Sequence, residues 1–397
     1  MTSDPKVKQL GLEADSTAVL RAADEARSAG RFGIDTEFLR ERTFRARLCL
    51  VQVATPNNIY LFDPLAGIDL SPLGNVLADP QIQVLVHAGR QDFELFVERF
   101  GSIPANVFDI QIAAGFTGYG ASLPYGRLVE ETTGGHVRKG EAYTDWCRRP
   151  LTSAQLTYAA DDVRYLIPVA DALTAKLESL GRFGWIREEM SSLESPDTYS
   201  SDPGVAWRRV SGRGVLTGRQ TAVLKEVASW REKVAERRDT PRGWVVKDPT
   251  LIEIARRAPS DVAGLKGIRG LNAKEAERSA KEIIAAVQRG REAPPIPPPP
   301  GPPRGAIARV RMVSGLADAI VRARCEAAEI ASELVATRAD LEALLAAAFS
   351  GTAEPQNHRL LRGWRRELAG QAVVDLAKGR IGLRVVNRPP YVEEVEL

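Results

Sequence analysis

The chain has 397 residues, too many for a single hydrophobic core, and its length predicts two to four domains. Hydrophobic residues make up 44% and charged residues 26%, the proportions of an ordinary soluble protein. Neither a run of about 18 apolar residues nor a basic region leading into an apolar one near the first residue is present, so we expect no transmembrane helix and no secretory signal. These features favour a cytoplasmic protein that does not bind membranes.

Charge is distributed unevenly along the chain. Residues 1–200 carry 20 Lys and Arg against 27 Asp and Glu, whereas residues 201–292 carry 20 against 12. An acidic part joined to a basic part suggests that one binds cations and the other a polyanion. A harmless imbalance between solvated helix faces is the alternative that charge alone leaves open.

The three cysteines, Cys49, Cys147 and Cys325, are far apart and form no CxxC pair. This spacing excludes a cysteine-based zinc site and makes a disulfide framework an unfavoured interpretation. We therefore expect buried, reduced thiols.

The first 200 residues begin with strand-like runs and continue with helix-like ones. Four short runs are rich in Ile, Val, Leu and Phe and have turn residues nearby: RFGIDTEF, ARLCLVQVAT, NIYLFDP and IQVLVHAG. The first three follow one another closely and predict an antiparallel meander, and the pattern is mainly helical from the end of the fourth to about residue 190. Such an order predicts a layered α/β domain.

The remainder of the chain is predicted to be helical, in two segments. A polar linker around residues 195–212 precedes the first segment, in which about five helices are expected. A proline-rich linker, residues 293–305, favours polyproline II geometry and acts as a semi-rigid spacer, with an SH3-type ligand as the less favoured interpretation. The second segment has a similar length and layout, which suggests a diverged tandem repeat.

Two carboxylates, Asp35 and Glu37, stand at the end of the apolar run FGI. Alternate residues of a strand point to one face, so these side chains repel each other and share protons unless a cation lies between them. Hard oxygen ligands of this kind suit Mg²⁺ or Mn²⁺. By itself, D-x-E on a strand is a weak motif, and a strand end that enters solvent is the favoured explanation of the pair at this point.

Further acids occur at two later positions. Asp92 begins a helix after the fourth strand, where its simplest role is a favourable interaction with the helix N-terminus. Tyr158 and Asp162 are four residues apart and share one helix face, whereas Asp161 is either solvated or paired with Arg164.

The combination of a strand D-x-E, an acid after a strand and a helical Y-x-x-x-D resembles the tyrosine subclass of the DEDD 3′–5′ exonucleases. The stretches around these residues are similar to the ribonuclease D family: DTEFLRERTFRARLCLVQVAT, VHAGRQDFELF and TDWCRRPLTSAQLTYAADDVRYLIP. PRGWVVKDPTLIEIARRAP and LKGIRGL resemble the helicase-and-RNase-D C-terminal (HRDC) domain. The resemblance implies an α/β exonuclease domain with a ribonuclease H-like mixed sheet flanked by helices, residues 1–200. Two small all-α HRDC-like domains would follow, a nucleic-acid-binding one at 210–292 and a diverged one at 306–390.

The resemblance also implies roles for single residues. Asp35, Glu37, Asp92 and Asp162 would bind two divalent cations, Mg²⁺ or Mn²⁺, and Tyr158 would orient the attacking water. Arg138 and Lys139 are candidates for contact with a substrate phosphate, with a solvated loop as the alternative.

The function implied is that of a metal-dependent 3′–5′ exoribonuclease, expected to be monomeric. It would trim the 3′ ends of tRNA precursors and other structured RNAs and release nucleoside 5′-monophosphates. The alternatives are a DNA 3′–5′ exonuclease and a non-catalytic nucleic-acid-binding scaffold.

Overall fold

The computed structural model describes residues 11–138, 140, 144–200, 202–297, 304–350 and 358–397. These residues form two compact units. The first contains the described residues within Met1–Glu37, Leu48–Thr198 and Pro302–Leu397, and the second those within Phe38–Arg47 and Tyr199–Gly301.

A six-stranded mixed sheet forms the centre of the first unit. Its strands in chain order are β1 (Leu12–Glu13), β2 (Arg31–Leu39), β3 (Arg47–Ala54), β4 (Ile59–Phe62), β5 (Gln83–Val86) and β6 (Val107–Asp109). Their spatial order is β1-β4-β3-β2-β5-β6, with β3 antiparallel to β4 and β5 parallel to both β2 and β6. The predicted α/β fold with a mixed sheet is confirmed, and β1 is an edge strand that the sequence pattern did not reveal.

Nine helices accompany the sheet among the described residues. They are α1 (Ser16–Ala29), α2 (Ser71–Leu77), α3 (Arg90–Phe100), α4 (Ile110–Gly115), α5 (Tyr125–Thr133), α6 (Ser153–Arg164), α7 (Leu166–Ser179), α8 (Phe183–Met190) and α9 (Pro196–Tyr199). Most bury one apolar face, as in α7, where Val169, Leu173 and Leu177 are almost fully buried.

The helical part of the second unit is built around one long central helix. Its helices are α10 (Gly218–Arg237), α11 (Arg242–Val245), α12 (Asp248–Arg257), α13 (Val262–Lys266), α14 (Ala273–Arg278) and α15 (Ala280–Glu292). Gly290 lets α15 cross α10 closely, because a Cβ at this position would lie 2.4 Å from the Cα of Val223. Val210, in the predicted linker, is fully buried in the core of this unit.

The β2–β3 connection belongs to this second unit. The amides of Phe44 and Arg45 both donate to Asp239 Oδ1, at 3.0 and 3.3 Å. The Arg242 guanidinium lies 4.4 Å from the centre of the Phe44 ring. The segment that continues the Asp35–Glu37 strand is therefore packed onto the helices.

The C-terminal segment repeats the start of the second unit and then departs from it. Its elements are α16 (Arg304–Ala327), α17 (Ser332–Val335), α18 (Arg338–Phe349), α19 (Gly363–Arg365), a π-helical turn (Arg366–Gly370), α20 (Gln371–Ala377), β7 (Ile381–Val385) and β8 (Val392–Glu396). α16 to α18 match α10 to α12 in order and in the length of both connections. Residues at the same place after each long helix, Asp239 and Glu329, have positive φ angles of 45° and 50°. This correspondence favours a diverged repeat.

The prediction of an entirely helical 306–390 region is wrong at its end. Residues 381–396 form an antiparallel hairpin of β7 and β8, with Ile381 opposite Glu396 and Val385 opposite Val392. Apolar residues occupy alternate positions of IGLRV in β7, the strand-like signal that the helical interpretation missed.

The prediction of three reduced thiols is wrong for two of them. Cys49, in β3, and Cys147, which precedes α6, form a disulfide although 98 residues separate them in sequence. Sequence spacing carried no information about this pair, because the fold brings their Cα atoms to 5.0 Å. Cys325 is buried and free, as predicted.

The C-terminal segment docks onto the exonuclease part of the first unit through Trp364. Its buried indole stacks on Trp185 at 5.6 Å, meets Phe116 edge-on at 4.9 Å, and donates from Nε1 to Glu189 at 3.1 Å. The neighbouring Arg365 forms a bidentate ion pair with the same Glu189.

No helix among the described residues is long and apolar enough to cross a membrane.

We expect Trp364→Ala to lower the free energy of unfolding of this unit by about 3–5 kcal/mol, since it removes a buried aromatic ring and leaves a cavity. Urea unfolding followed by circular dichroism measures the change. Trp244→Ala, at a tryptophan that is 65% exposed, is the matched control and should shift the midpoint little. Equal midpoints for Trp364→Ala and the unsubstituted protein would contradict this role of Trp364.

Candidate active site

Strand β2 carries the first two acids out of the apolar core. Phe32 and Ile34 are at most 1% exposed, and β2 pairs with β5 through Gly33, opposite Leu85. Asp35 and Glu37 follow this paired stretch, so the position of their backbone is fixed by the sheet.

Helices α6 and α7 bring the third acid to the same place. Leu166, at the start of α7, packs so closely over β2 that a Cβ on Gly33 would lie 2.9 Å from Leu166 Cδ1. Only glycine leaves room for this approach. Helix α6, which begins with a capping box formed by Thr152 and Gln155, therefore places Asp162 beside β2.

Carboxylate oxygens of Asp35, Glu37 and Asp162 all lie within 4.8 Å of one another. Residues up to 127 positions apart in sequence thus meet at one point. Their spacing allows all three to bind one divalent cation, since each offers a carboxylate oxygen.

Asp92, in the first turn of α3, is held beside this group. It is 7% exposed and accepts a hydrogen bond from the hydroxyl of Thr36. The turn that leads into α3 is fixed by Asp109, whose carboxylate accepts from the amides of Ala88 and Gly89 at 3.0 and 3.1 Å. Sequence analysis did not identify Thr36 or Asp109 as part of the site. The only signals were that Thr36 lies within the D-x-E motif and that Asp109 precedes a helix.

Burial raises the pKa of every carboxyl group in this cluster, and nearby acids raise it further. Burial raises the pKa of Glu37 to about 8, with smaller contributions from Asp162 and Asp92. Burial and Asp161 raise the pKa of Asp162 to about 8, and burial raises that of Asp92 to about 6. The pKa of Asp35 is raised well above its ordinary value by burial and then by the other three acids. Buried acids that repel one another are a fitting donor set for divalent cations.

Tyr158 faces the same group from α6. Burial, followed by the charges of Asp162, Glu37 and Asp35, raises its pKa, so the phenol stays protonated at neutral pH and acts as a hydrogen-bond donor. Its ring lies 5.9 Å from that of Trp146, which is 2% exposed. Trp146 is therefore a packing residue behind Tyr158.

The group of three carboxylates does not include Asp161 or Arg138. Asp161 is paired with Arg164 at 2.9 Å, one of the two alternatives given for it. His87 follows β5 and lies 5.4 Å from the Tyr125 ring, and burial lowers its pKa. Arg138 is exposed in its loop, and Lys139 lies outside the described residues.

Comparisons with known proteins identify the relatives of this chain. A family model for 3′–5′ exonucleases matches residues 14–178, and the HRDC domain model matches residues 220–287. Ribonuclease D from Granulibacter bethesdensis is 40% identical over 89% of this chain and 88% of its own length. The corresponding values for ribonuclease D from Nitrobacter hamburgensis are 41%, 89% and 91%.

The crystal structure of Escherichia coli RNase D, described as an exoribonuclease involved in structured RNA processing, is also similar. It is 31% identical, with a TM-score of 0.80 over 94% of this chain and 99% of that one. The catalytic core of RRP6 from Trypanosoma brucei, at 20% identity and a TM-score of 0.52, shares the fold.

The fold and its matches define a 3′–5′ exonuclease joined to an HRDC domain. More specifically, identities of about 40% over almost the whole chain show that it belongs to the ribonuclease D family. The protein is accordingly a 3′–5′ exoribonuclease.

We expect the melting temperature of the metal-free protein in EDTA to fall as pH rises from about 4 to about 8. Glu37 and Asp162 have folded-state pKa values of about 8, above the ordinary 4.5 and 3.8. As pH rises through this range, the unfolded chain loses these protons first while the folded chain retains them, so the stabilisation present at low pH is lost. Differential scanning calorimetry measures the slope.

Glu37→Gln should make the slope shallower, whereas Glu178→Gln, at an exposed glutamate, should leave it unchanged. Excess Mg²⁺ should raise the melting temperature more at pH 8 than at pH 5, where protons compete with the ion. Equal slopes for Glu37→Gln and the unsubstituted protein would contradict the assignment of a raised pKa to Glu37.

Proposed function

We propose that the cluster of Asp35, Glu37, Asp92 and Asp162 is the catalytic centre and binds two divalent cations, Mg²⁺ or Mn²⁺. The observation that carries this proposal is the meeting of three half-buried carboxylates, whose oxygens lie within 4.8 Å of one another. Each is already destabilised by its neighbours, so cation binding relieves repulsion as well as forming new bonds. A pair of such ions, when bound, activates a water and stabilises the charge on the leaving oxygen.

The chain's own residues then have separate tasks. Asp35, Glu37 and Asp162 would hold the cations at the end of a rigid strand. Asp92, oriented by Thr36, adds charge from the other side. The neutral hydroxyl of Tyr158 donates a hydrogen bond that orients the attacking water or a phosphate oxygen, and it does not act as the base because its pKa is raised.

Hydrolysis forms a bond between the water oxygen and phosphorus and breaks the bond from phosphorus to the 3′ oxygen. The water loses a proton, the departing 3′ oxygen gains one, and a nucleoside 5′-monophosphate is released. Exposed Arg138 is proposed to contact a substrate phosphate, with Lys139 beside it in sequence.

The proposed substrates are the 3′ ends of tRNA precursors and other structured RNAs, processed in the cytoplasm by a monomer. Relatives named ribonuclease D and the solved Escherichia coli enzyme, described as processing structured RNA, support this choice. The excess of basic residues in 201–292 favours binding of a polyanion next to an acidic catalytic domain. Domain limits at 1–200, 210–292 and 306–390 remain part of the proposal.

Asp35→Asn should lower kcat by at least about a hundredfold, the effect of losing one preorganised electrostatic group, while RNA binding changes little. Single-turnover assays on a 3′-extended RNA give kcat, and fluorescence anisotropy gives Kd. Asp24→Asn, an exposed acid on α1, is the matched control. Activity retained in Asp35→Asn would refute the metal assignment.

Incubation with 3′-extended tRNA and with single-stranded DNA tests the substrate. We expect stepwise 3′ shortening of the RNA in Mg²⁺ or Mn²⁺, none in EDTA, and slower or no shortening of the DNA, followed on denaturing gels. Faster degradation of DNA would favour the DNA exonuclease instead. If metal ions cause degradation of neither the RNA nor the DNA, only the function as a non-catalytic nucleic-acid-binding scaffold remains.

A further inference from the structure

Tyr125, the first residue of α5, makes two hydrogen bonds at the junction between α6 and α7. Its hydroxyl donates to the carbonyl of Asp161 at 3.2 Å and accepts from the amide of Tyr165 at 3.3 Å. Asp161 and Tyr165 are four residues apart, the spacing at which a carbonyl and an amide bond each other in a continuous α-helix. The hydroxyl of Tyr125 therefore lies where the next hydrogen bond of α6 would run.

A side chain inserted between the hydrogen-bonding groups of a helix is a known cause of a helix break. Tyr165 has a φ of −102° and a ψ of 1°, away from α-helical values, and α7 begins at the next residue. The hydroxyl satisfies both backbone groups at the point where α6 ends, so the sequence needs no other partner for them there.

The two bonded residues are direct neighbours of residues that shape the acidic cluster. Asp162 follows Asp161, and Leu166, which packs over Gly33 of β2, follows Tyr165. Burial, and then the charge of Asp162, raises the pKa of the Tyr125 hydroxyl, so this group stays protonated at neutral pH and can donate. The hydroxyl thus holds the backbone on both sides of the α6–α7 junction.

The ring of Tyr125 contacts the turn that leads to the other helical acid. The centre of the ring lies 5.4 Å from that of His87, which follows β5. His87 also forms a hydrogen bond with the backbone of Leu123, two residues before Tyr125. Asp92 lies five residues after His87, in the first turn of α3. One side chain therefore touches both the segment that leads to Asp92 and the segment that carries Asp162.

Precise spacing matters at this place, because groups that bind a ligand together must be held within about 0.5 Å of their productive positions. Asp35 and Glu37 are held by strand β2. Asp92 and Asp162 come from two separate helices, and Tyr125 connects the two segments from which these helices place their acids.

We propose that Tyr125 is a positioning residue of the catalytic centre, which sets the separation of Asp92 and Asp162 and thereby the affinity of the acidic cluster for divalent cations. It acts through the backbone of Asp161 and Tyr165 and touches neither the cations nor the RNA. Without the hydroxyl, that carbonyl and amide would bond each other directly, lengthen α6 and move Asp162. This inference rests on the proposed function, since it takes the acidic cluster as the cation site.

Tyr125→Phe tests the proposal, because it removes the hydroxyl and keeps the ring beside His87. Electron paramagnetic resonance of free Mn²⁺ gives the Kd of the full-length protein for this ion without RNA. We expect Tyr125→Phe to raise this Kd about tenfold, the lower end of the effect of losing a group that orients metal ligands. Tyr119→Phe removes the same atom from a tyrosine whose ring contacts Lys176. This matched control should keep the original Kd.

Catalysis by Tyr125→Phe should change in the same direction. The Mg²⁺ concentration for half-maximal shortening of a 3′-extended RNA should rise by a similar factor. Excess Mg²⁺ should restore most of kcat, whereas KM for the RNA should not change. Loss of stability alone would lower the melting temperature and leave the Mn²⁺ Kd of the folded protein as it was.

A double-mutant cycle tests whether Tyr125 acts through Asp162. In the Asp162→Asn background, Tyr125→Phe should cause little further loss of Mn²⁺ affinity, because the ligand that the hydroxyl positions is already impaired. Fully additive losses would contradict this route.

The unsubstituted protein offers a test that does not depend on the folding of any variant. If the α6–α7 junction and the cation site are coupled, hydrogen exchange of the Tyr165 amide should slow when Mg²⁺ is added, since such coupling is reciprocal. Unchanged exchange would contradict the proposal.

An unchanged Mn²⁺ Kd in folded Tyr125→Phe would overturn the role of Tyr125 and leave the acidic cluster as the cation site. Failure of the unsubstituted protein to bind Mn²⁺ would instead refute the proposed function itself.

Discussion

The mutual repulsion of buried carboxylates is the constraint on which the first unit depends. Asp35, Glu37 and Asp162 repel one another when ionised and would move apart in a flexible setting, and burial and neighbouring acids raise the pKa of each. A central strand and a helix locked against it prevent separation. The fold thereby stores unfavourable electrostatics in the metal-free state, and proposed cation binding would release it. This repulsion lowers the stability of the metal-free protein at the site that is proposed to bind cations.

The close approach of Leu166 to Gly33 helps to hold the carboxylates together. It fixes the junction of α6 and α7 over β2, and with it the distance from Asp162 to Asp35. The Asp109 carboxylate does the same for α3, through amides in the turn before Asp92. Neither Leu166 nor Asp109 belongs to the carboxylate group, yet both determine where its members lie.

Two related helical segments have acquired different surfaces. In the C-terminal one, Leu334 and Trp364 are used to attach the segment to the exonuclease part. In the HRDC domain, Trp244 is the third residue of α11, as Leu334 is of α17, and it is exposed. Arg242 of the same helix stacks on Phe44, which follows Glu37 by seven residues in the chain.

The sequence by itself determined the layered α/β domain and the helical segments after it, because strand runs and helical spacing are local properties. The resemblance to the ribonuclease D family, and not these local patterns, singled out the HRDC domain and the residues of the acidic cluster. It could not determine the disulfide between Cys49 and Cys147, the hydrogen bond from Thr36 to Asp92 or the terminal hairpin. Nor did it separate Trp244, which is exposed, from Trp364, which is buried, although each follows an Arg-Gly pair. Only the tertiary structure decided these points, since each depends on which distant segments pack together.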